Sequence, residues 1–239
     1  MNNNYLIWLI NPGIKIPNNF ISRYIANKFR NRFVFIYLPI KLSNKIILNT
    51  FPNELLSEVR KVIDILPSNR KMVFNLHGRY TIEEIKYIEV YLNRNIIKIP
   101  YRIFLEEVKD EIIEKLNHTQ KIILYCLYTR HHDGFIHQKY LEKIINENNY
   151  FITPFIIQMI GEHVSELIVI IDKYLENNIL NYRKYINENK HYWKNMRGYI
   201  ATYWDTYQRN KYPEYRKYIG KIIFDRINKI NNNVLPYFT

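Results

Sequence analysis

Three histidines and an aspartate form the densest group of potential metal ligands in the sequence. His131, His132 and Asp133 are consecutive, and His137 follows Asp133 by four residues, so both could face one ion from a helix. Zinc needs three or four ligands, and no second cluster in the sequence supplies the rest. The pair Asp133-Gly134 is also typical of a helix start, with the aspartate as cap and the glycine in a tight turn. We therefore expect a turn here, with no metal and no cofactor.

Basic and aromatic residues alternate through residues 179–239, which contain 12 Lys or Arg and four Asp or Glu. Nucleic-acid grooves use this mixture, with cations on phosphates and rings on bases. The candidate anion-binding residues are Arg183, Lys184, Lys190, Lys194, Arg197, Arg209 and Lys211. Trp193, Tyr203 and Tyr207 fall at helical spacing with Met196 and Ile200, so many of the rings are expected in the core.

Catalytic signatures are weak throughout the chain. His77-Gly78-Arg79 follows a possible strand, where α/β proteins keep phosphate-binding turns, but an ordinary tight turn is the simpler interpretation. Cys126 lies in an apolar run, where a thiol is usually inert. No Ser-His-Asp or Cys-His arrangement is evident, so we expect no enzymatic activity.

Composition indicates a globular intracellular protein. Hydrophobic residues make up 47% and charged residues 24%, which is ordinary for a packed domain. The net charge of +13 is concentrated at the two ends and favours a polyanionic partner, although it also suits a solvated Lys-rich surface. A single cysteine excludes an internal disulfide and indicates the reducing cytoplasm. No apolar run is long enough for a membrane span.

Apolar periodicity predicts a mainly helical chain. Because Ile, Tyr, Asn and Lys share A/T-rich codons, their enrichment is poor evidence for strands, and we give periodicity more weight than β propensity. Predicted helices span residues 53–66, 81–93, 105–116, 120–128, 136–145, 153–160, 164–175, 181–208 and 213–230. The helix at 81–93 would open with a capping box formed by Thr81 and Glu84.

The N-terminal segment, residues 1–100, has two interpretations. Apolar runs at residues 5–10, 33–38 and 71–76 read as strands and would alternate with helices at 18–30, 53–66 and 81–93. Such an alternation predicts a small α/β unit. The alternative is a segment that caps the helical part of the chain.

The segment from residue 120 to residue 175 resembles HEAT-type helical repeats. The resemblance rests on the apolar helix at 120–128, the Asp133-Gly134 turn, the helix at 136–145 and a second helix that begins at Pro154. It implies a right-handed stack of helix pairs in a HEAT-like superhelix, with residues 101–239 as the repeat domain and Asp133-Gly134 as a repeat turn. Such families often carry Arg where this chain has His137, and Asp and Arg where it has Glu162 and Glu166.

The resemblance also implies a function, because stacked repeats usually bind other macromolecules. We expect a non-catalytic scaffold that binds a protein partner through its helical surface. The alternative is a nucleic-acid-binding protein that uses the basic and aromatic C-terminal helices. A remote third interpretation is a HEAT-like DNA glycosylase, since Trp204-Asp205 resembles the Trp and Asp that those enzymes use at their DNA groove.

Overall fold

The computed structural model describes residues 34–38, 44–67, 70–74, 80–82, 86–103, 105–162 and 165–232. Within these ranges the chain is mainly helical, as predicted. Its strands are β1 Val34–Leu38, β2 Arg70–Phe74, β3 Tyr80–Ile82, β4 Tyr87–Leu92 and β5 Asn95–Pro100. Its α-helices are α1 Asn44–Leu48, α2 Leu56–Ile65, α3 Asp110–Ile113, α4 His118–Tyr128, α5 Gly134–Ile144, α6 Thr153–Ile160, α7 Ser165–Lys173, α8 Ile179–Glu188, α9 Lys190–Tyr203 and α10 Ile219–Asn232. Short 3₁₀ turns occupy Asn53–Leu55, Tyr150–Ile152, Leu175–Asn178 and Tyr215–Lys217, and a π-helical turn occupies Trp204–Gln208.

The helix predicted at residues 81–93 is wrong. Thr81 lies in β3, and the following segment forms the antiparallel β4–β5 hairpin. Along β4 the side chains alternate between exposed and buried, with Ile88, Val90 and Leu92 turned inward. This period of two is a strand pattern. The β-branched and aromatic residues that we discounted as codon bias do form strands here.

The hairpin turns through Asn93 and Arg94, whose φ angles are 50° and 66°. A two-residue turn with both φ angles positive matches the twist of the strands that it joins. Asparagine tolerates this conformation, whereas arginine at the second position crowds its Cβ against the backbone. The exposed turn therefore carries a local strain at Arg94.

The first three strands form an antiparallel sheet in the order β1-β2-β3. Strands predicted at residues 33–38 and 71–76 are confirmed as β1 and β2, and the helix predicted at 53–66 is confirmed as α2. The strand predicted at 5–10 and the helix at 18–30 lie outside the described residues.

The helix predicted at residues 105–116 is largely wrong, since only α3 is helical there. Tyr128 and His131 hold the preceding segment extended: the Tyr128 hydroxyl accepts from the amide of Val108 and donates to the carbonyl of Glu106, and His131 bonds the carbonyl of Leu105. These long-range bonds compete with the intrahelical ladder. The apolar spacing that suggested a helix instead reflects burial of Leu105 and Val108.

The two long C-terminal helices predicted at 181–208 and 213–230 are shorter than expected. The first is broken at Asn189 into α8 and α9, and α9 passes into the π-helical turn. The Asn189 side chain exchanges two hydrogen bonds with the backbone of Tyr91 in β4, at 2.7 and 2.8 Å. It acts as a one-residue strand partner for β4. Residue 213 precedes α10, which begins at Ile219.

One apolar core connects the hairpin with the helices. Every residue of α6 is buried, so this helix lies at the centre, and α7, α8 and α10 pack on it. Val62 and Ile99, from residues 1–100, belong to the same core as Leu124, from residues 101–239. Within the described ranges, no helix is both long enough and apolar enough to cross a membrane.

Replacing Arg94 with Gly should raise the free energy of unfolding by about 0.5 kcal/mol, because glycine relieves the crowding but adds freedom to the unfolded chain. Arg94→Ala removes the same charge and keeps a Cβ, so it serves as the control and should bring no gain. Urea unfolding at neutral pH measures both. Equal stabilisation by Gly and Ala would show that charge, and not backbone strain, is relieved.

Candidate nucleic-acid interface

Helix α9 presents a continuous basic surface. Lys190, Lys194 and Arg197 are four and three residues apart, which places them on one side of the helix, and all three are exposed. We call these three residues the basic face. The helix is anchored from another side by Trp193, Met196 and Ile200, which are buried as expected. Of the two tyrosines predicted to continue this buried stripe, Tyr203 is half-buried and Tyr207 is 61% exposed, so the prediction is wrong for Tyr207. Cations on a helix that is already held by packing can contact successive phosphates without a further cost for ordering the backbone.

The acidic residues near the C-terminus do not neutralise the basic face. Residues 179–239 contain four carboxylates, and each contacts another group. Glu188 accepts from the amide of Asn93, Asp205 pairs with Arg209, Asp225 pairs with Lys221, and Glu214 pairs with Arg216 and Lys217. Helix α9 itself has no acidic residue. Among the described residues the basic face therefore makes no ion pair.

The undescribed part of the sequence adds little negative charge. Residues 1–33 and 39–43 contain no Asp or Glu, and neither do residues 233–239. The acidic residues outside the described ranges are Glu83 and Glu84. The net charge of +13 counts these residues together with the described ones.

Three of the other four predicted anion-binding residues contact other side chains. The ammonium of Lys184 donates to the side chain of Asn93 at 2.6 Å and lies 4.0 Å from the ring centre of Tyr150. Arg209 pairs with Asp205 and lies over Trp204. Lys211 lies 3.4 Å from the Ser165 hydroxyl, and Arg183 is half-buried. The structure thus keeps only part of the predicted set on one exposed surface.

Histidine 131 has a structural role in the turn before α5. Its Nε2 donates to the carbonyl of Leu105 at 2.6 Å, and its Nδ1 accepts from the amide of Asp133 at 3.0 Å. Asp133 in turn caps α5 by accepting from the amide of Phe135. Gly134 has no positive φ, and a Cβ there would meet no neighbour, so this turn does not require glycine. The described residues contain no group of three or more His, Cys, Asp or Glu that could hold a metal ion.

Two further residues singled out in the sequence are also placed by the structure. Cys126 is buried in α4, and burial raises the pKa of its thiol well above the ordinary range. Trp204 donates its indole N–H to the carbonyl of Tyr212 at 2.8 Å, next to the exposed Asp205–Arg209 pair. His77, Gly78 and Arg79 lie outside the described residues.

A buried ion pair, which the sequence gave us no reason to expect, lies beneath the hairpin. The Arg130 side chain is 2% exposed and donates from Nη2 to Glu162 at 2.6 Å. It also donates to the carbonyls of Pro100 and Tyr101, at 3.2 and 2.9 Å. The amide of Ile103 bonds the carbonyl of Arg130. Arg130 therefore ties the end of β5 to the helices through both its backbone and its side chain.

His137 lies next to this ion pair and is uncharged; we call Arg130, Glu162 and His137 the cluster. Its Nδ1 lies 3.6 Å from Glu162, and neither ring nitrogen has a hydrogen-bond partner in the described part of the chain. Burial lowers the pKa of His137 to about 4, against the opposing attraction of Glu162. The imidazole is therefore neutral at pH 7, and Arg130 is the cation that balances Glu162.

The cluster also helps to position α9. Gly161, next to Glu162, allows close packing of α9, because a Cβ there would collide with Sδ of Met196. On the same side of α9, Tyr199 lies near Tyr101 at the end of the hairpin and helps to raise the pKa of Tyr101, to which burial contributes most. Residues two apart on a helix point to different sides, so the half-buried Tyr192 can place its hydroxyl in the interior near Arg130 while Lys194 faces outward.

Comparison of the chain with protein-family models, curated proteins and solved structures finds no match.

Replacing Arg130 with Met should lower the free energy of unfolding by about 3 kcal/mol, because Glu162 and two backbone carbonyls lose their donor. Arg130→Lys should recover little, since a single ammonium cannot reach all three acceptors as the planar guanidinium does. Urea midpoints for both variants test this. A cost for Arg130→Met below about 1 kcal/mol would mean that the ion pair contributes little beyond its own desolvation.

Protein stability should fall as the pH is lowered from 6.5 towards 4, in part because of His137. In this interval the unfolded chain binds a proton at His137 that the folded protein does not accept, since its folded pKa is about 4. Between pH 7.5 and pH 5.5 the wild-type protein should lose about 1 kcal/mol more stability than His137→Gln. Urea unfolding at both pH values measures the difference. Equal losses would show that the imidazole titrates normally in the fold.

Proposed function

We propose that this protein is a non-catalytic nucleic-acid-binding protein that contacts phosphates through the basic face of α9. The observation that carries the proposal is the row of Lys190, Lys194 and Arg197, which are exposed and make no ion pair with any described residue, on a helix without acidic residues. Such a field attracts polyanions and orients them along the helix. In the reducing cytoplasm, where we place the protein, nucleic acids are abundant polyanions.

The proposal includes a HEAT-like helical frame behind the interface. Helix α4 packs on α5, α6 packs on α7, and α5 also packs on α7, an arrangement that supports stacked helix pairs. Helix α9 would be held against this stack by α8 and α10. The frame supplies a rigid support, and the binding chemistry belongs to the basic face.

Replacing all three residues of the basic face with Ala should weaken binding to a fluorescent oligonucleotide by at least tenfold at about 100 mM salt. The slope of log K against log salt should become shallower by about two to three, because each of the three lost phosphate contacts releases about 0.7 to 0.9 counterion. Fluorescence anisotropy over a salt series measures both quantities.

The matched control replaces Lys45, Arg60 and Lys115 with Ala. These residues are exposed on other parts of the structure, and their removal lowers the net charge by the same amount. The control variant should bind within about twofold of the wild-type protein. An equal loss in the two triple variants would show that net charge alone, and no particular surface, attracts the nucleic acid.

A scaffold for a protein partner is the second candidate, and the exposed apolar side chains favour it. Phe135 at the start of α5 is 87% exposed, and Leu180 in α8 is 72% exposed. Isolated side chains of this kind are common on protein surfaces, so we give the basic face more weight. Binding to a protein partner would depend on Phe135 and would change little with salt.

A further inference from the structure

We propose that the outer face of the β4–β5 hairpin is a platform on which unpaired bases stack, so that the preferred ligand is a single strand. This inference rests on the proposed function of α9. We call the exposed side chains Tyr87 and Tyr91 of β4 the tyrosine face. They point outward together because residues four apart on a strand share one side of the sheet.

The rings of the tyrosine face are available to a ligand. Tyr87 is 46% exposed and Tyr91 is 50% exposed, while the alternate residues of β4 are buried and hold the strand in place. A strand rises about 3.3 Å per residue, so the two tyrosines, which are four residues apart, lie about 13 Å from each other along β4. This separation prevents one ring from covering the other. Each ring can therefore offer a face to a separate base.

The charges beside the rings do not repel a nucleic acid. Glu89, between the two tyrosines, pairs with Lys98 of β5 at 2.7 Å. The same ammonium lies 4.8 Å from the ring centre of Tyr87. The local charge is therefore balanced on the hairpin, and the excess positive charge lies at its edges, on Arg94 and on α9.

The tyrosine face adjoins the basic face through Asn189. This residue bonds both backbone groups of Tyr91 and directly precedes Lys190, the first cation of the basic face. At the hairpin tip, Asn93 is held by Glu188 and Lys184 of α8. The hairpin and the start of α9 are thus joined by side-chain hydrogen bonds, and one strand of nucleic acid can contact rings and cations in succession.

The chemistry of the two surfaces distinguishes a single strand from a duplex. Phosphates are present on both, so the basic face binds either. The flat faces of bases are covered by their neighbours in a duplex and become available to aromatic side chains only in an unpaired strand. Exposed rings next to cations are the combination that sequence-tolerant single-strand binding uses.

The test compares wild-type protein with the double variant Tyr87→Ala/Tyr91→Ala. The probes are fluorescein-labelled oligo(dT) of about 20 nucleotides, a duplex of the same length, and an abasic strand with the same phosphates. The variant should bind oligo(dT) at least tenfold more weakly, since each stacked ring contributes about a factor of ten, and should bind the duplex and the abasic strand like the wild type. Its salt slope should be unchanged, because no cation is removed.

Two control variants separate stacking from other effects. Tyr87→Phe/Tyr91→Phe keeps the rings and should retain wild-type affinity, whereas Phe135→Ala removes an exposed ring on α5 and should have no effect. Thermal unfolding of each variant checks that the hairpin is intact.

The outcomes distinguish failure of the inference from failure of the proposed function. Wild-type affinity of the double Ala variant for oligo(dT), or tighter binding of wild-type protein to the duplex, overturns the stacking platform and leaves the basic face in place. Absence of binding to all three probes by the wild-type protein at about 100 mM salt overturns the proposed function, and the inference with it.

Discussion

Arg130 joins the hairpin to the helices, and much of the remaining arrangement depends on this connection. One guanidinium serves two backbone carbonyls at the end of β5 and the carboxylate of Glu162 after α6. Burying both charges is costly, and their mutual attraction and added hydrogen bonds offset that cost only in a well-defined geometry. The pair therefore acts as an orienting constraint more than as a source of stability. It determines where Tyr101 lies, and Tyr101 contacts Tyr199 of α9.

A second polar side chain, Asn189, gives the C-terminal region its shape. Without it, α8 and α9 could continue as one helix, and the cations from Lys184 to Arg197 would follow a single helical path. The break lets the amide of Asn189 satisfy the free edge of β4, where unpaired backbone groups would otherwise remain. It also places Lys184 against Asn93 and leaves Lys190 at the start of a new helix. Asn189 thus separates Lys184, which is hydrogen-bonded to the hairpin, from the exposed cations of α9.

Helical periodicity predicted much of the helical part of the fold. Helices α2, α4, α5 and α6 were located closely, because each carries an apolar stripe or run between recognisable end signals: Pro67 after α2, Asp133 before α5 and Pro154 in α6. Strand β4 was missed because Ile85, Ile88 and Leu92 also fit one side of a helix over so short a run, and local propensity had been discounted. The extended segment before α3 was missed for a different reason: its partners, Tyr128 and His131, are about 20 residues or more away in sequence. The HEAT-type arrangement stays a prediction.

The sequence by itself determined the charge, the single thiol and the local helices, since these depend on composition or on residues a few positions apart. It also identified all three residues of the basic face, but within a larger set of seven. Only the tertiary structure decided which of those seven lack an ion pair or hydrogen bond among the described residues, because the fold determines which carboxylate or polar group lies next to each cation. Tyr87 and Tyr91 became a shared surface for the same reason: exposure of a ring depends on which side of a strand the core occupies. No local signal in the sequence indicates the Arg130–Glu162 pair, because its two members are 32 residues apart and meet only when the chain segments that follow α4 and α6 come together in the fold.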